Sequence, residues 1–421
     1  MKHLAPADRP ECRSGTIALP LIVHSHLRWD FVWQRPQQIM SRLAPTSRVL
    51  FVEEPLFLDD VRRPRLALSA AHPGVTRAVP QLPAPWREGS DALGAVRTLL
   101  YELVGRGGEL AGQFDGAVQW FYTPMPAPEM LGAFDERGVV YDCMDELSQF
   151  RFAPTDLRER EEILLASADV VFTGGYKLFQ AKSRHHDNVH FFGCGVDAAH
   201  FGRARRSDVG LPDDVARLPR PVFGYFGVID ERIDYDLLRA LAAARPDASL
   251  VMVGPVVKVE RETLPQAPNI HWLGQRAYEQ LPGYVKTFDV CLMPFALNEA
   301  TEYINPTKTL EYMAAGKPIV STAVADVVRN FTPVVRIARS AGEFVAAVQE
   351  DAARPDPARI AQGIERATGA SWESIVAEMR RLLAAAIARR DARAPIAGRL
   401  PLAAAGAVAS DAPRVAVVGK S

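Results

Sequence analysis

The densest run of chemistry-bearing residues is Ile304-Asn305-Pro306-Thr307-Lys308, leading into Thr309-Leu310-Glu311-Tyr312-Met313-Ala314-Ala315-Gly316-Lys317-Pro318. The solid apolar run 289–295 precedes it as a strand, and Gly316 with Pro318 ends a short helix. A helix that starts at the carboxyl end of a strand offers free backbone N–H groups and the positive end of its dipole, which suit phosphate. Asn305, Thr307 and Lys308 add an amide, a hydroxyl and a cation at that point. Glu311 falls in the first turn, where a carboxylate is favoured and can accept hydrogen bonds from two ribose hydroxyls. Phosphate plus ribose spells a nucleotide. The same residues also fit a polar-capped helix with a surface Glu, and spacing alone leaves both readings open.

A second group gathers in the first third of the chain. His24-Ser25-His26 follows a strand; either histidine suits an acceptor hydroxyl or a donor sugar, and His26 is the stronger catalytic candidate. The plainer alternative is a polar strand end. Asp30-Phe31-Val32-Trp33-Gln34-Arg35-Pro36 opens a helix, with Pro36 in its first turn. Trp33 can pack on a sugar face and Arg35 can bind an anion, or the pair is a packed Trp with a solvated Arg. Asp142 and Asp145 follow another strand, and Asp145 is taken as the carboxylate candidate for base or sugar recognition. Glu53 and Glu54 share that logic more weakly. Arg62, Arg63 and Arg65 lie beside Leu66 and Leu68, a pattern that fits either an anionic lipid surface or a solvated loop.

These residues need strand ends to hold them. Apolar runs expected as strands are 16–25, 48–53, 117–122, 138–141, 168–173 and 188–193, with helical patterns at 33–43, 91–104 and 157–167. Residues 198–218 lack periodicity and read as a linker. The alternation restarts at 221–229 and runs to 351, and a helical stretch follows over 372–390. The fold class is therefore α/β, with two Rossmann-like doubly wound domains facing a cleft. The expected units are an acceptor-binding domain (14–200), a nucleotide-sugar-binding domain (219–370), a helix crossing back (371–391) and a flexible tail (392–421).

The run from Asn305 to Thr322 resembles the donor-binding signature of GT-B glycosyltransferases of family 4 (group 1). Glu311, Ala315, Gly316, Pro318 and Val320 carry the likeness. Gly193-Cys194-Gly195-Val196-Asp197 with Phe201 resembles the element that ends the family's N-terminal domain. Gly224-Tyr225-Phe226-Gly227 with Arg232 resembles the first C-terminal strand and its phosphate loop. Where many members have a second Glu eight residues before the first, this chain has Tyr303. The resemblance implies donor contacts from Gly227, Arg232, Lys308 and Glu311, to which position adds Asn305 and Thr307; it implies acceptor contacts from Trp33 and Arg35, to which the strand-end position adds His24, and retention at the transferred carbon. It implies no metal and no cofactor.

Composition sets outer limits. The 421 residues carry 49 basic and 50 acidic side chains, which gives no footprint for nucleic acid. Cys12, Cys143, Cys194 and Cys291 are too scattered for a zinc or dithiol motif and fit a reducing compartment. The apolar run 17–23 is too short for a signal peptide or a membrane span. The expected protein is cytoplasmic, soluble or peripheral at the inner face of the plasma membrane. It moves a sugar from a nucleotide-sugar donor to a hydroxyl on a polysaccharide or lipid-linked saccharide. A sugar-nucleotide epimerase or hydrolase, and an idle nucleotide-sugar-binding protein, are the competing readings.

Overall fold

The computed structural model describes residues 19–87, 91–150, 153–302 and 304–393. Cys12, Tyr303 and the expected tail beyond Arg393 lie outside them. The first half builds a nine-stranded sheet. Its strands are β1 (Leu21–Ser25), β2 (Val49–Glu53), β3 (Leu56–Leu58), β4 (Arg65–His72), β5 (Val75–Pro83), β6 (Val118–Phe121), β7 (Gly138–Cys143), β8 (Val170–Thr173) and β9 (Val189–Phe191). The order is β3-β5-β2-β1-β6-β7-β8-β9, with β4 paired antiparallel on β5. β1, β2, β6, β7 and β8 are buried along their whole length, as parallel strands covered on both faces must be.

The helices of this half are α1 (Arg35–Leu43), α2 (Ala92–Val104), α3 (Ala127–Met130), α4 (Leu157–Ser167) and α5 (Tyr176–Lys182). The hairpin β4–β5 stands where the sequence suggested a loop. Val75–Ala78 of β5 pair with β2 and Gln81–Pro83 pair with β3. Pro80 therefore falls in the gap between two partners, where its missing N–H breaks no ladder bond on that side. Leu66 and Leu68 pack against the core, so the apolar half of the basic patch faces inward while Arg62, Arg63 and Arg65 remain exposed.

After α6 (Ala198–Gly202), the second half builds a six-stranded parallel sheet, β12-β11-β10-β13-β14-β15. These strands are β10 (Val222–Phe226), β11 (Ser249–Val253), β12 (Ile270–Gly274), β13 (Val290–Met293), β14 (Ile319–Thr322) and β15 (Arg336–Ala338). Its helices are α7 (Tyr235–Ala244), α8 (Leu281–Thr287), α9 (Glu299–Glu302), α10 (Lys308–Ala314), α11 (Ala325–Phe331), α12 (Ala341–Ala353) and α13 (Pro357–Gly369). The segment 198–218 is no free linker. Phe201, Ala204 and Val215 are buried in the core of the second sheet, so hydrophobic burial holds this segment to that unit.

α14 (Trp372–Arg393) returns to the first unit, where Val376, Met379, Ala386 and Ile387 join Ile39 and Trp120 in one core. Beside its start, the chain crosses between units a second time. Val196 N donates to Ala370 O at 2.8 Å, and Val196 and Ser371 form a parallel bridge. Among the described residues, no helix is long and apolar enough to cross a membrane.

Candidate active site

The carboxyl ends of both sheets face one cavity of about 770 Å³. Helix α10 forms one wall, and its seating is specific. The Tyr312 hydroxyl, fully buried, accepts the Phe226 N–H at 3.0 Å, which ties the helix to the end of β10. Thr309 Oγ1 donates to Pro306 O at 2.9 Å and closes the entry turn. Thr307 stands at the N-cap in helical conformation with no side-chain cap bond, so its hydroxyl is not used by the helix.

Two glycine turns clear the space in front of this helix. Gly227 has φ +139°, and a Cβ there would sit 2.8 Å from Lys308 Cε. Gly254, at φ +148°, would place a Cβ 1.8 Å from Gly227 O. Conformation disfavours a side chain at both positions, and at Gly254 backbone contact excludes one as well. The lysine so admitted extends over the Tyr225 and Phe295 rings, with Nζ 5.3 and 5.4 Å from their centroids. Among the described residues, neither Lys308 nor Glu311 has an ion-pair partner. Burial and the nearby Arg232 push the Lys308 ammonium down from its ordinary value; burial pushes the Glu311 carboxyl up. An acid and a base half-buried side by side without pairing are costly to keep, and both line the cavity.

Arg232 also lines the cavity but is already engaged. It grips Asp230 through Nε–Oδ1 (3.0 Å) and Nη2–Oδ2 (2.7 Å) and lies 5.6 Å from the Phe150 ring centroid. Asn305 bridges the two units: its Nδ2 donates to Gly174 O at 3.1 Å, and its carbonyl accepts from Cys194 Sγ at 3.0 Å. Asn305 Oδ1 is buried without a partner among the described residues.

The first unit supplies the opposite wall. Trp33 meets Trp29 edge-on and lies 5.9 Å from Tyr278 of the second unit. Arg35 is buried rather than solvated, and Nε pairs with Asp142 Oδ1 at 2.9 Å. Asp142 is thereby the internal partner of Arg35, whereas Asp145 lines the cavity. Burial raises the Asp145 carboxyl against the pull of Arg232, Lys258 and Lys308.

The two histidines are not among the lining residues. His24 points away because side chains alternate along β1: like Ile22, it faces the α2–α4 side. There it is 2% exposed, hydrogen-bonds Gln119 Oε1 at 2.9 Å and stacks on Phe121. The expected acceptor contact from His24 is therefore corrected to a core role. His26 lies beyond the strand end, half-buried, with Nδ1 unpartnered among the described residues. Burial and Lys258 push its imidazole down to about 4, so it is neutral near pH 7.

Sequence reasoning missed Tyr278 and Lys258. Tyr278 lines the cavity, stacks on His200 at 4.3 Å and accepts from Gln38 Nε2 at 3.2 Å across the units. Lys258, at φ 59°, reaches across to the Phe150 ring at 4.5 Å. Neither stands in a motif, so nothing in the local sequence marks it.

Comparison with known proteins agrees with this architecture. Residues 220–353 match the family of group 1 glycosyl transferases. A Bacillus subtilis (strain 168) protein bearing the name of a teichuronic acid biosynthesis glycosyltransferase, TuaH, is 26% identical over 238 residues. That match spans 51% of this chain and 58% of the relative. A UDP-forming trehalose-phosphate synthase from Burkholderia xenovorans superposes with a TM-score of 0.64 at 12% identity, covering 90% of this chain and all of that one. Anabaena HepE in complex with UDP gives 0.58 at 15% identity, covering 88% and 100%. The fold is thus the two-domain GT-B arrangement of glycosyltransferases.

Proposed function

From the match of residues 220–353 to group 1 glycosyl transferases, we propose that the protein moves a glycosyl group from a nucleotide-sugar donor to a saccharide or lipid-linked saccharide hydroxyl. The observation that carries the reading is the pair Lys308 and Glu311, which stand on the first turn of α10 with no ion-pair partner among the described residues and line the cavity. Glu311 accepts from the ribose hydroxyls. Lys308, Thr307 and Arg232 stabilise the diphosphate as it leaves, with Gly227 giving its oxygens close access to backbone. Asn305 orients this entry turn against the first unit. Trp33 and Arg35 face the acceptor.

In the transfer, the bond from the anomeric carbon to the diphosphate oxygen breaks and the acceptor oxygen takes its place. The hydroxyl proton passes to the departing diphosphate, a route compatible with retention and with no strong side-chain base. Asp145 stands on the cavity and orients the sugar, while His26, outside the lining and with its imidazole pushed down to about 4, is too weak a base to hold the proton. Closure of the two units excludes the water that would otherwise hydrolyse the donor. The name borne by the Bacillus relative favours a surface polysaccharide as product, and a lipid-linked acceptor would bring the protein to a membrane surface.

The test is a panel of labelled nucleotide sugars incubated with and without saccharide and lipid extracts. Acceptor-dependent nucleotide release is the expected result. Release without acceptor would instead indicate a hydrolase, and binding without turnover an idle binder. Glu311→Ala should weaken donor binding about tenfold to a hundredfold, the worth of hydrogen bonds to a charged group. Unchanged affinity would remove Glu311 from the nucleotide site.

A further inference from the structure

Strand β4 is the outer strand of its hairpin. Among the described residues it pairs with β5 and with no other strand. It runs for 8 residues, whereas the other outer strands, β3, β9, β12 and β15, run for 3 to 5. A short edge offers another strand little to pair with; one as long as β4 offers a full ladder. The usual guards are missing from it. It holds no proline, no lysine and no acidic residue, and its one permanent charge, Arg65, stands at its first position. The hairpin fixes which backbone groups face the open side. Val49 N donates to Gly74 O, so along β5 the groups of Thr76, Ala78 and Pro80 face away from β4. The alternate residues Arg77, Val79 and Gln81 face β4, where they meet Ser69, Ala67 and Arg65. The N–H and C=O groups of Leu66, Leu68 and Ala70 are thereby turned to the open edge.

This edge is complementary to itself. A two-fold axis through Leu68 sets β4 against a second β4 in antiparallel order, with Leu68 on Leu68, Leu66 on Ala70 and Ala67 on Ser69. Every outward N–H and C=O of the three residues then finds a counterpart. Away from the leucine pair on the axis, large side chains meet small ones. Arg65 comes beside Ala71, so no like charges oppose each other. Leu66 and Leu68 already pack on the core of the first sheet, and the pairing would extend that apolar stripe across the axis. We propose that β4 is the interface between two copies of this chain, which join edge to edge into one continuous sheet. The second copy's Arg65 then stands next to Ala71, which lines the cavity.

Sedimentation equilibrium on the full chain tests this, with the loading concentration varied across the micromolar range. The wild type should pass from the mass of one chain to that of two. Ala70 is exposed, and Ala70→Pro removes an outward N–H while leaving the ladder to β5 intact, since an edge strand accepts proline on its open side. That variant should associate roughly tenfold more weakly, the worth of one or two hydrogen bonds. Crosslinking reads the register. Opposed residues at non-hydrogen-bonded positions of an antiparallel pair lie about 4.5 Å apart at Cα, a gap that a disulfide spans. Ala67→Cys/Ser69→Cys should therefore form a covalent dimer under mild oxidation. Ala67→Cys alone, whose thiol is two residues out of register with its copy, should not. A wild type that stays monomeric at every concentration would overturn the proposal and leave the edge to a strand of another protein. Dimers that Ala70→Pro leaves equally tight, or a crosslink that forms as readily through Ala67→Cys alone, would overturn it too. Should the proline variant fail to fold, the cysteine pair decides by itself.

Discussion

At the scale of single residues, Lys308 and Glu311 set the pH behaviour of the site. Glu311 must be ionised to accept from ribose, and its raised pKa means that charge is lost at a higher pH than for an ordinary carboxylate. Lys308 must be protonated to hold phosphate, and its lowered pKa means that charge is lost at a lower pH than for an ordinary lysine. Donor affinity should therefore follow a bell with both limbs drawn toward neutrality. Measured by calorimetry across pH 5 to 10, Glu311→Gln should flatten the acid limb alone, and Lys308→Arg the alkaline limb alone. Stability should run the other way. A carboxyl whose folded pKa is raised penalises the folded state once pH exceeds its unfolded pKa. The unliganded Glu311→Gln protein should then melt higher than the wild type at pH 8 and bind donor worse. A lower melting temperature would show that Glu311 has a structural partner.

At the scale of elements, α10 stands or falls with its seat on β10. Tyr312→Phe removes the acceptor for the Phe226 N–H and strands a buried donor, a loss of about 1–3 kcal/mol. Chemical unfolding should show that loss, and donor affinity should fall with it because the first turn of α10 shifts. A variant with unchanged stability would mean that water replaces the hydroxyl. This element was legible in the sequence because Pro306, Gly316 and Pro318 punctuate it, and a solid apolar strand precedes it. The hairpin β4–β5 was not, because Pro64, Pro80 and Pro83 read as loop signals. Only the pairing pattern shows that Pro80 meets no partner on one side. His24 was misplaced for a related reason: a strand-end histidine can face either layer, and the alternation must be anchored in three dimensions before its side is known. Arg35 was legible as a cation near the cleft but not as a buried one, since Asp142 lies 107 residues away.

At the scale of the whole molecule, the two units meet through a clasp at one flank of the cavity. Helix α5 has Gly175 at its N-cap and no side-chain cap of its own; Asp326 of the other unit accepts the Tyr176 N–H at 2.8 Å instead. Arg329 lies over the Tyr176 ring, and Lys177 pairs with Glu302. Asp326→Ala removes a cap worth about 0.5–2 kcal/mol. It should shift the protein toward an open form, with a larger radius of gyration by solution scattering and a faster tryptic cleavage rate. An unchanged radius would mean that closure is held elsewhere. The chain itself passes between units at Val196 and again at Ser371, side by side and hydrogen-bonded. A single strand would let one unit swivel about it like a tethered ball. Two passages tied side by side by a hydrogen bond and a bridge act as a tape along a book's spine and resist twist better than one would. The states of this protein should thus spread along an opening angle more than they spread in twist, so distances measured at several points across the cavity mouth should rise and fall together.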